Sequence, residues 1–397
     1  MKNLNETEVW LRASDRINQV GEYFFSKKLQ EIAGMQKAGA QIINLGIGNP
    51  DLAPSPLAIE GLIEDAKTSD ANGYQPYRGV AELRAAFGRW YKKWYDVDLV
   101  PDKEILPLMG SKEGIMHITW ALTNPGDEVL IPNPGYPTYA AISQLAGLRI
   151  KYFDLTAKNN WEPNFEELEK LDLKKIKLMW VNYPNMPTGQ KARPELFEKL
   201  VEFGKKHQII IINDNPYSFI LEDKPLSLLQ TPGAKEICLE LNSLSKSHNM
   251  AGWRVGMLCG NEQLVEWVSK IHSNITSGQY RPIQKATINA LDSSACWHKS
   301  NNDIYRTRKD IAWEILDSLG CEYDKKQSGL FVWAKTPKDI KCDLDYSDNI
   351  LYKTHVFLTP GSIFGSNGKG YIRISLCSDE DSLKKALNRI KNNSVNE

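Results

Sequence analysis

The chain lacks any apolar run long enough to cross a membrane. Its densest stretch, "IIIIN" at 209–213, falls far short of the roughly 20 residues a spanning helix needs. The N-terminus, "MKNLNETEVWLRASDR", has no apolar h-region, so no secretory leader is expected. Excess charge is missing as well: 49 Lys and Arg balance 49 Asp and Glu. A nucleic-acid protein held by a basic surface is thereby disfavoured, because phosphate binding needs a cationic surplus. No CxxC occurs among the scattered cysteines Cys238, Cys259, Cys296, Cys321, Cys342 and Cys377. Reduced thiols in a cytoplasmic protein are the expectation. The histidines show no HxxxH or HExxH spacing, so no metal site is expected. In "NLGIGNPD" Asp51 stands where GxGxxG needs its third glycine, which argues against a nicotinamide dehydrogenase. In "PGSIFGSNGKGYIRISL" Gly370 follows Lys369 where a P-loop needs Ser or Thr.

What is present points to a large folded core. An apolar fraction of 42% over 397 residues suggests two or so domains. Short apolar runs, "EVLIPNP", "KLMWVNYP", "IIIIND" and "ICLELNS", alternate with amphipathic helical patterns such as "PELFEKLVEFGKKH". In the last of these, Leu196, Leu200 and Phe203 share a face and Pro194 suits a first turn. Fully apolar strands between helices predict a mostly parallel sheet covered on both faces, a three-layer α/β/α arrangement. The ends read differently. Residues up to about 45 are helical and aromatic, and from about 290 a long helix ("NNDIYRTRKDIAWEILDSLG") precedes short strands and a terminal helix. The expected organisation is an arm and part of a small α+β domain at 1–45, a large cofactor-binding domain at 46–290, and a small domain at 291–397.

Ligands of parallel sheets bind in the loops after the strands, and those loops carry an unusual inventory. Gly110-Ser111-Lys112 lies between a strand end and a helix start, where backbone N–H groups attract anions. Tyr136 sits in a stiff Pro/Gly turn, fit for a stacking plate. "NYPNMPTG" offers the polar groups of Asn182 and Asn185. Asp214 closes a run of isoleucines, a costly place for a carboxylate without a cationic partner, and Tyr217 follows three residues on. In "SLSKSHNMAGWRVG", Lys246 follows a strand and precedes Arg254; a dry, cation-flanked lysine loses pKa and becomes nucleophilic, and an arginine can fork onto a phosphate. Arg373 alternates with apolar residues and calls for an anionic partner, which a substrate carboxylate would supply. Each loop taken singly also fits a plain turn, a helix cap or a core side chain. Together they equip a protein for pyridoxal phosphate acting on an amino acid.

Over nearly its whole length the chain resembles the fold-type I, class I/II pyridoxal-phosphate aminotransferases. The resemblance implies Lys246 as the Schiff-base lysine, with Arg254, Ser243 and Ser245 on the phosphate. It implies Asp214 and Tyr217 on the pyridine nitrogen and the phenolic oxygen, "GSKEG" (Gly110, Ser111, Lys112) as the phosphate turn, and Tyr136 as the stacking ring. "YQPYRGVAELR" resembles the segment whose tyrosine, Tyr74 here, reaches the phosphate in the neighbouring subunit of a homodimer. Gly48 and Arg373 match the substrate carboxylate site. One departure stands out: the family usually reads N-P-T-G, and Met186 takes that asparagine's place in "NMPTG". A methionine cannot donate the bond to the phenolic oxygen, which leaves Asn185 or Asn182 to substitute. The implied reaction moves an amino group from an α-amino acid to a 2-oxo acid. A C–S β-lyase on the same fold and a non-catalytic cofactor-binding regulator are the alternatives. Tyr23, Phe24 and Phe25 are candidates to cover the site, which would suit an apolar or aromatic substrate, or to pack on the core.

Overall fold

The structure is a computed structural model and describes residues 13–22 and 24–393. Its strands are β1 (Ile43–Asn44), β2 (Ile105–Leu108), β3 (Glu128–Asn133), β4 (Arg149–Asp154), β5 (Ile176–Val181), β6 (Ile210–Asp214), β7 (Cys238–Ser243), β8 (Gly256–Gly260), β9 (Glu322–Tyr323), β10 (Phe331–Lys335), β11 (Val356–Phe357), β12 (Thr359–Pro360) and β13 (Tyr371–Ser375). Seven of them form one sheet in the order β2-β8-β7-β6-β5-β3-β4. Pairing is parallel from β7 through β4, and β8 runs antiparallel to both β2 and β7.

The pleat sorts consecutive strand residues onto opposite faces. Leu130, Met179, Val181 and Ile211 pack on one face with residues of the helices Ala81–Tyr95 and Pro194–His207. Val129, Ile131, Leu178, Trp180 and Ile212 pack on the other with residues of the helices Ser111–Leu122, Pro137–Leu145 and Glu262–Ile275. The expected three-layer α/β/α arrangement is therefore observed. Each buried Leu or Phe in these layers contributes on the order of 2 kcal/mol. The helix Pro194–His207 begins with Pro194 in its first turn and ends at Gln208 in the left-handed region, φ 57°.

A fully buried carboxyl group lies inside this framework. Glu240, in β7, is fully buried and accepts from the Tyr91 hydroxyl (2.9 Å), Asn213 Nδ2 (2.9 Å), Ser227 Oγ (2.7 Å) and the Leu228 amide (2.9 Å). Burial pushes its pKa up, and these four donors pull it back.

The two ends of the chain meet. The helix Phe24–Lys37 leads into β1, which pairs in parallel with β11. A second, antiparallel sheet has the order β12-β13-β10-β9. One apolar cluster gathers Phe25 and Leu45 with Tyr305, Ile315, Val332, Ile374 and Ile390. The long helix starts earlier than its apolar pattern indicates, at Ala295, because Ser294 caps it by accepting from the Trp297 amide. A helix absent from the sequence reading, Asp343–Thr354, buries Tyr346, Ile350 and Leu351.

Candidate active site

The loops at the carboxyl ends of β2, β3, β5, β6 and β7 share a rim of the sheet, and there they enclose a cavity of about 440 Å³. Lys246 enters it from a single helical turn, Leu244–Ser247, that follows β7 directly. Ser243 caps this turn through its hydroxyl, which accepts from the Ser245 amide (3.2 Å). The Lys246 ammonium donates to the Gly48 carbonyl. Burial lowers its pKa, and Arg373 and Arg254 push the same way against the opposing pull of Cys377.

Asp214 closes β6 and faces the same space. Its Oδ2 accepts from the Tyr139 hydroxyl (2.9 Å), whereas its Oδ1 is buried with no hydrogen-bond partner. Burial raises its pKa to about 7; the Tyr139 bond opposes the rise and Glu240 adds to it. Tyr217 is buried in the same wall, and burial pushes its phenol up. Tyr136 lies edge-on to Tyr139 with ring centroids 5.6 Å apart.

An anion seat adjoins them. Gly110 precedes the helix Ser111–Leu122 with φ 89°, so Ser111 and Lys112 stand in its first turn and face the cavity. A Cβ at Gly110 would collide with the Arg254 guanidinium, so the two approach as closely as the glycine permits. Arg254 itself is in the left-handed region, φ 56°, and donates to the Ala251 carbonyl (2.8 Å). Ser243 and Ser245 complete this side. A helix N-terminus, two hydroxyls and a guanidinium suit a phosphate.

Arg373 comes from β13, opposite. It donates to the Gly46 carbonyl (2.8 Å) and to Met186 Sδ (3.3 Å), and its guanidinium lies 3.8 Å from the centre of the Phe331 ring. A Cβ at Gly48 would strike Phe331, so the bare backbone lies close against that ring while its carbonyl meets Lys246.

Lys246, Asp214, Tyr217, Tyr136, Ser111, Lys112, Ser243, Ser245, Arg254, Gly48 and Arg373 thus line one cavity, and Gly110 stands directly behind it. Asn185 does not join them. Its amide donates to the Asn182 carbonyl (3.1 Å) and accepts from Thr188 Oγ1 (2.7 Å), so the turn consumes it. Asn182 reaches the wall, with its amide donating to the Asp214 carbonyl and accepting from the Met186 amide (2.8 Å). Tyr74 is outside the wall and 95% exposed. Its loop is anchored nearby, where His272 Nε2 meets the Tyr77 carbonyl (3.0 Å). Phe25 lines the cavity, Phe24 packs on apolar clusters instead, and Tyr23 lies outside the described residues. Sequence reasoning missed Tyr139, Leu29, Phe331 and Phe364. Tyr139 alone had a signal, a second tyrosine one helical turn after Tyr136.

The chemistry of this set fits pyridoxal phosphate. The unpartnered Asp214 oxygen suits a protonated ring nitrogen, the anion seat suits the phosphate, and a half-buried amine faces both. Comparison with known proteins agrees. The family model described as aminotransferase class I and II matches residues 40–390. An LL-diaminopimelate aminotransferase from Maridesulfovibrio salexigens is 40% identical over 382 residues, 96% of this chain and 98% of that protein. One from Dehalococcoides mccartyi is 39% identical over 385 residues, 96% of this chain and 99% of its own. The structure of apo-BacF from Bacillus subtilis has a TM-score of 0.92 at 37% identity, covering 96% of this chain and 98% of its own. Geometry and kinship converge: the chain belongs to the class I and II aminotransferases, enzymes that use pyridoxal phosphate to move amino groups.

Proposed function

We propose a division of labour for amino transfer from an α-amino acid to a 2-oxo acid. Lys246 would hold the cofactor's aldehyde carbon, Asp214 Oδ1 its ring nitrogen, and Tyr217 its phenolic oxygen. Tyr136 would stack on the ring. Gly110, Ser111, Lys112, Ser243, Ser245 and Arg254 would seat the phosphate. When bound, the cofactor supplies an electron sink for charge developing at the substrate's Cα. Arg373 and the Gly48 backbone would grip the substrate carboxylate, which orients the Cα–H bond toward Lys246. The lowered pKa of Lys246 then favours its neutral amine, the form that can accept the Cα proton and later return it. Asn185 is not assigned to the cofactor, because its amide is spent in its own turn.

The observation that carries this reading is the buried Asp214 with one oxygen unpartnered, in the same cavity as a lysine whose pKa burial depresses. Borohydride treatment of the cofactor-loaded protein, followed by peptide mapping, should label Lys246. A label elsewhere overturns the assignment. Acceptor dependence separates transfer from β-elimination: a β-lyase would release ammonia and pyruvate without a 2-oxo acid.

We further infer a cytoplasmic homodimer. Free cysteines support the compartment, and no helix among the described residues is long and apolar enough to cross a membrane. The almost fully exposed Tyr74 supports the dimer, since a phenol standing clear of its own subunit is placed to reach a neighbouring site. The substrate named for the relatives, LL-diaminopimelate, is the first donor to test.

A further inference from the structure

Granting the aminotransferase reading, the described wall that one subunit contributes and that is left without a role is mostly apolar, with the amide of Asn182 spent on the Asp214 carbonyl and the Met186 amide. Beyond the groups assigned to cofactor and carboxylate, the lining includes the side chains of Phe25, Leu29, Ile47, Met186, Phe331 and Phe364. Among the described residues of the lining, Asp214 is the only carboxylate, and it faces the ring site. The guanidinium of Arg373 is enclosed by Phe331 (3.8 Å), Phe364 (4.7 Å) and Phe25 (5.9 Å), with the Met186 thioether at 3.3 Å. Phe25 and Leu29 stand one turn apart on the helix Phe24–Lys37 and form a roof. Lys28, between them, turns away to pair with Asp348 (2.8 Å) and Glu31 (2.7 Å), which fastens that helix in place.

A substrate that carries a second carboxylate or a distal ammonium would have to bring that charge against phenyl rings and aliphatic chains. Desolvating an ion there without a partner is costly. A large apolar side chain gains from the same surface, and the unbranched Met186 adapts to its outline. We infer that this enzyme's preferred donor is an α-amino acid with a large apolar side chain, aromatic or branched aliphatic, rather than one with a charged distal end.

Two measurements test this on the cofactor-loaded enzyme. The first is calorimetric binding of unreactive acids, 3-phenylpropionate and 4-methylpentanoate against glutarate and pimelate. The second is kcat/KM for phenylalanine and leucine against glutamate and LL-diaminopimelate, with a fixed 2-oxo acid. The monoacids should bind at least about ten-fold more tightly, and the apolar donors should lead by a similar factor. Leu29→Lys, at a half-exposed position, should erase most of that preference while leaving the cofactor's absorbance unchanged. Tighter diacid binding, a higher kcat/KM for either charged donor, or an unaltered preference in Leu29→Lys overturns the inference. If LL-diaminopimelate leads, the substrate inference falls and amino transfer stands. If no donor reacts while the monoacids still bind selectively, amino transfer falls and the apolar wall stands.

Discussion

Asp214 has a carboxyl pKa raised to about 7 by burial. In an unfolded chain the same group titrates near about 3.9. Over the window between these values the folded protein holds a proton that the unfolded chain has lost. The cofactor-free enzyme should therefore lose stability from this group as pH rises from about 4 to about 7. A cationic ring nitrogen supplies the missing partner once the carboxylate is charged. Cofactor should thus raise the melting temperature more at about pH 8 than at about pH 6, and Asp214→Asn should flatten that difference. Thermal melts with and without cofactor at both pH values check this. Tyr139→Phe removes the bond that restrains the rise, so Asp214 should titrate higher in the cofactor-free protein and its pH-dependent loss of stability should extend to higher pH. Asp214 and Lys246 were legible in the sequence because a charge at the end of an apolar run demands an explanation. The role of Tyr139 was not, although its spacing from Tyr136 marked it, because that role depends on a carboxylate 75 residues away in sequence. The exchange of Asn185 for Asn182 at the wall was hidden too, since only the path of the turn decides which amide faces inward.

At the scale of elements, β3, β5, β6, β7, β10 and β13 could be read from apolar runs, whereas their partners could not. Nothing local in "GMLCG" announces that β8 runs antiparallel, or that β1 pairs with β11 at the far end of the chain. Glu240 was equally hidden: it reads as a polar residue in a strand and proves to join β7 to Tyr91, Asn213 and the Ser227 turn. Glu240→Ala would strand four donors in a dry interior and should cost on the order of 3 kcal/mol or more, with Glu240→Gln milder, by denaturant unfolding. At the β2–helix junction, Gly110→Ala sets a methyl group against Arg254 and strains a φ of 89°. Cofactor affinity should fall by more than ten-fold, or about 1.4 kcal/mol, in a fluorescence titration, with the fold retained.

For the whole molecule, the arrangement of copies is open to a direct test. If Tyr74 serves the neighbouring site, Lys246→Ala and Tyr74→Ala subunits, each weak alone, should regain activity when mixed and reassociated. One site in each hybrid dimer would be intact, giving about a quarter of wild-type activity. No recovery would place Tyr74 outside the chemistry. The antiparallel return of β8 carries its own consequence. Ser243 pairs with Gly256, so the segment carrying Lys246 and Arg254 is a closed bight, tied at its neck by the sheet. A single inserted residue in it would swing the arginine out of step with the lysine, so the spacing between these two cations is fixed by the strand pairing itself.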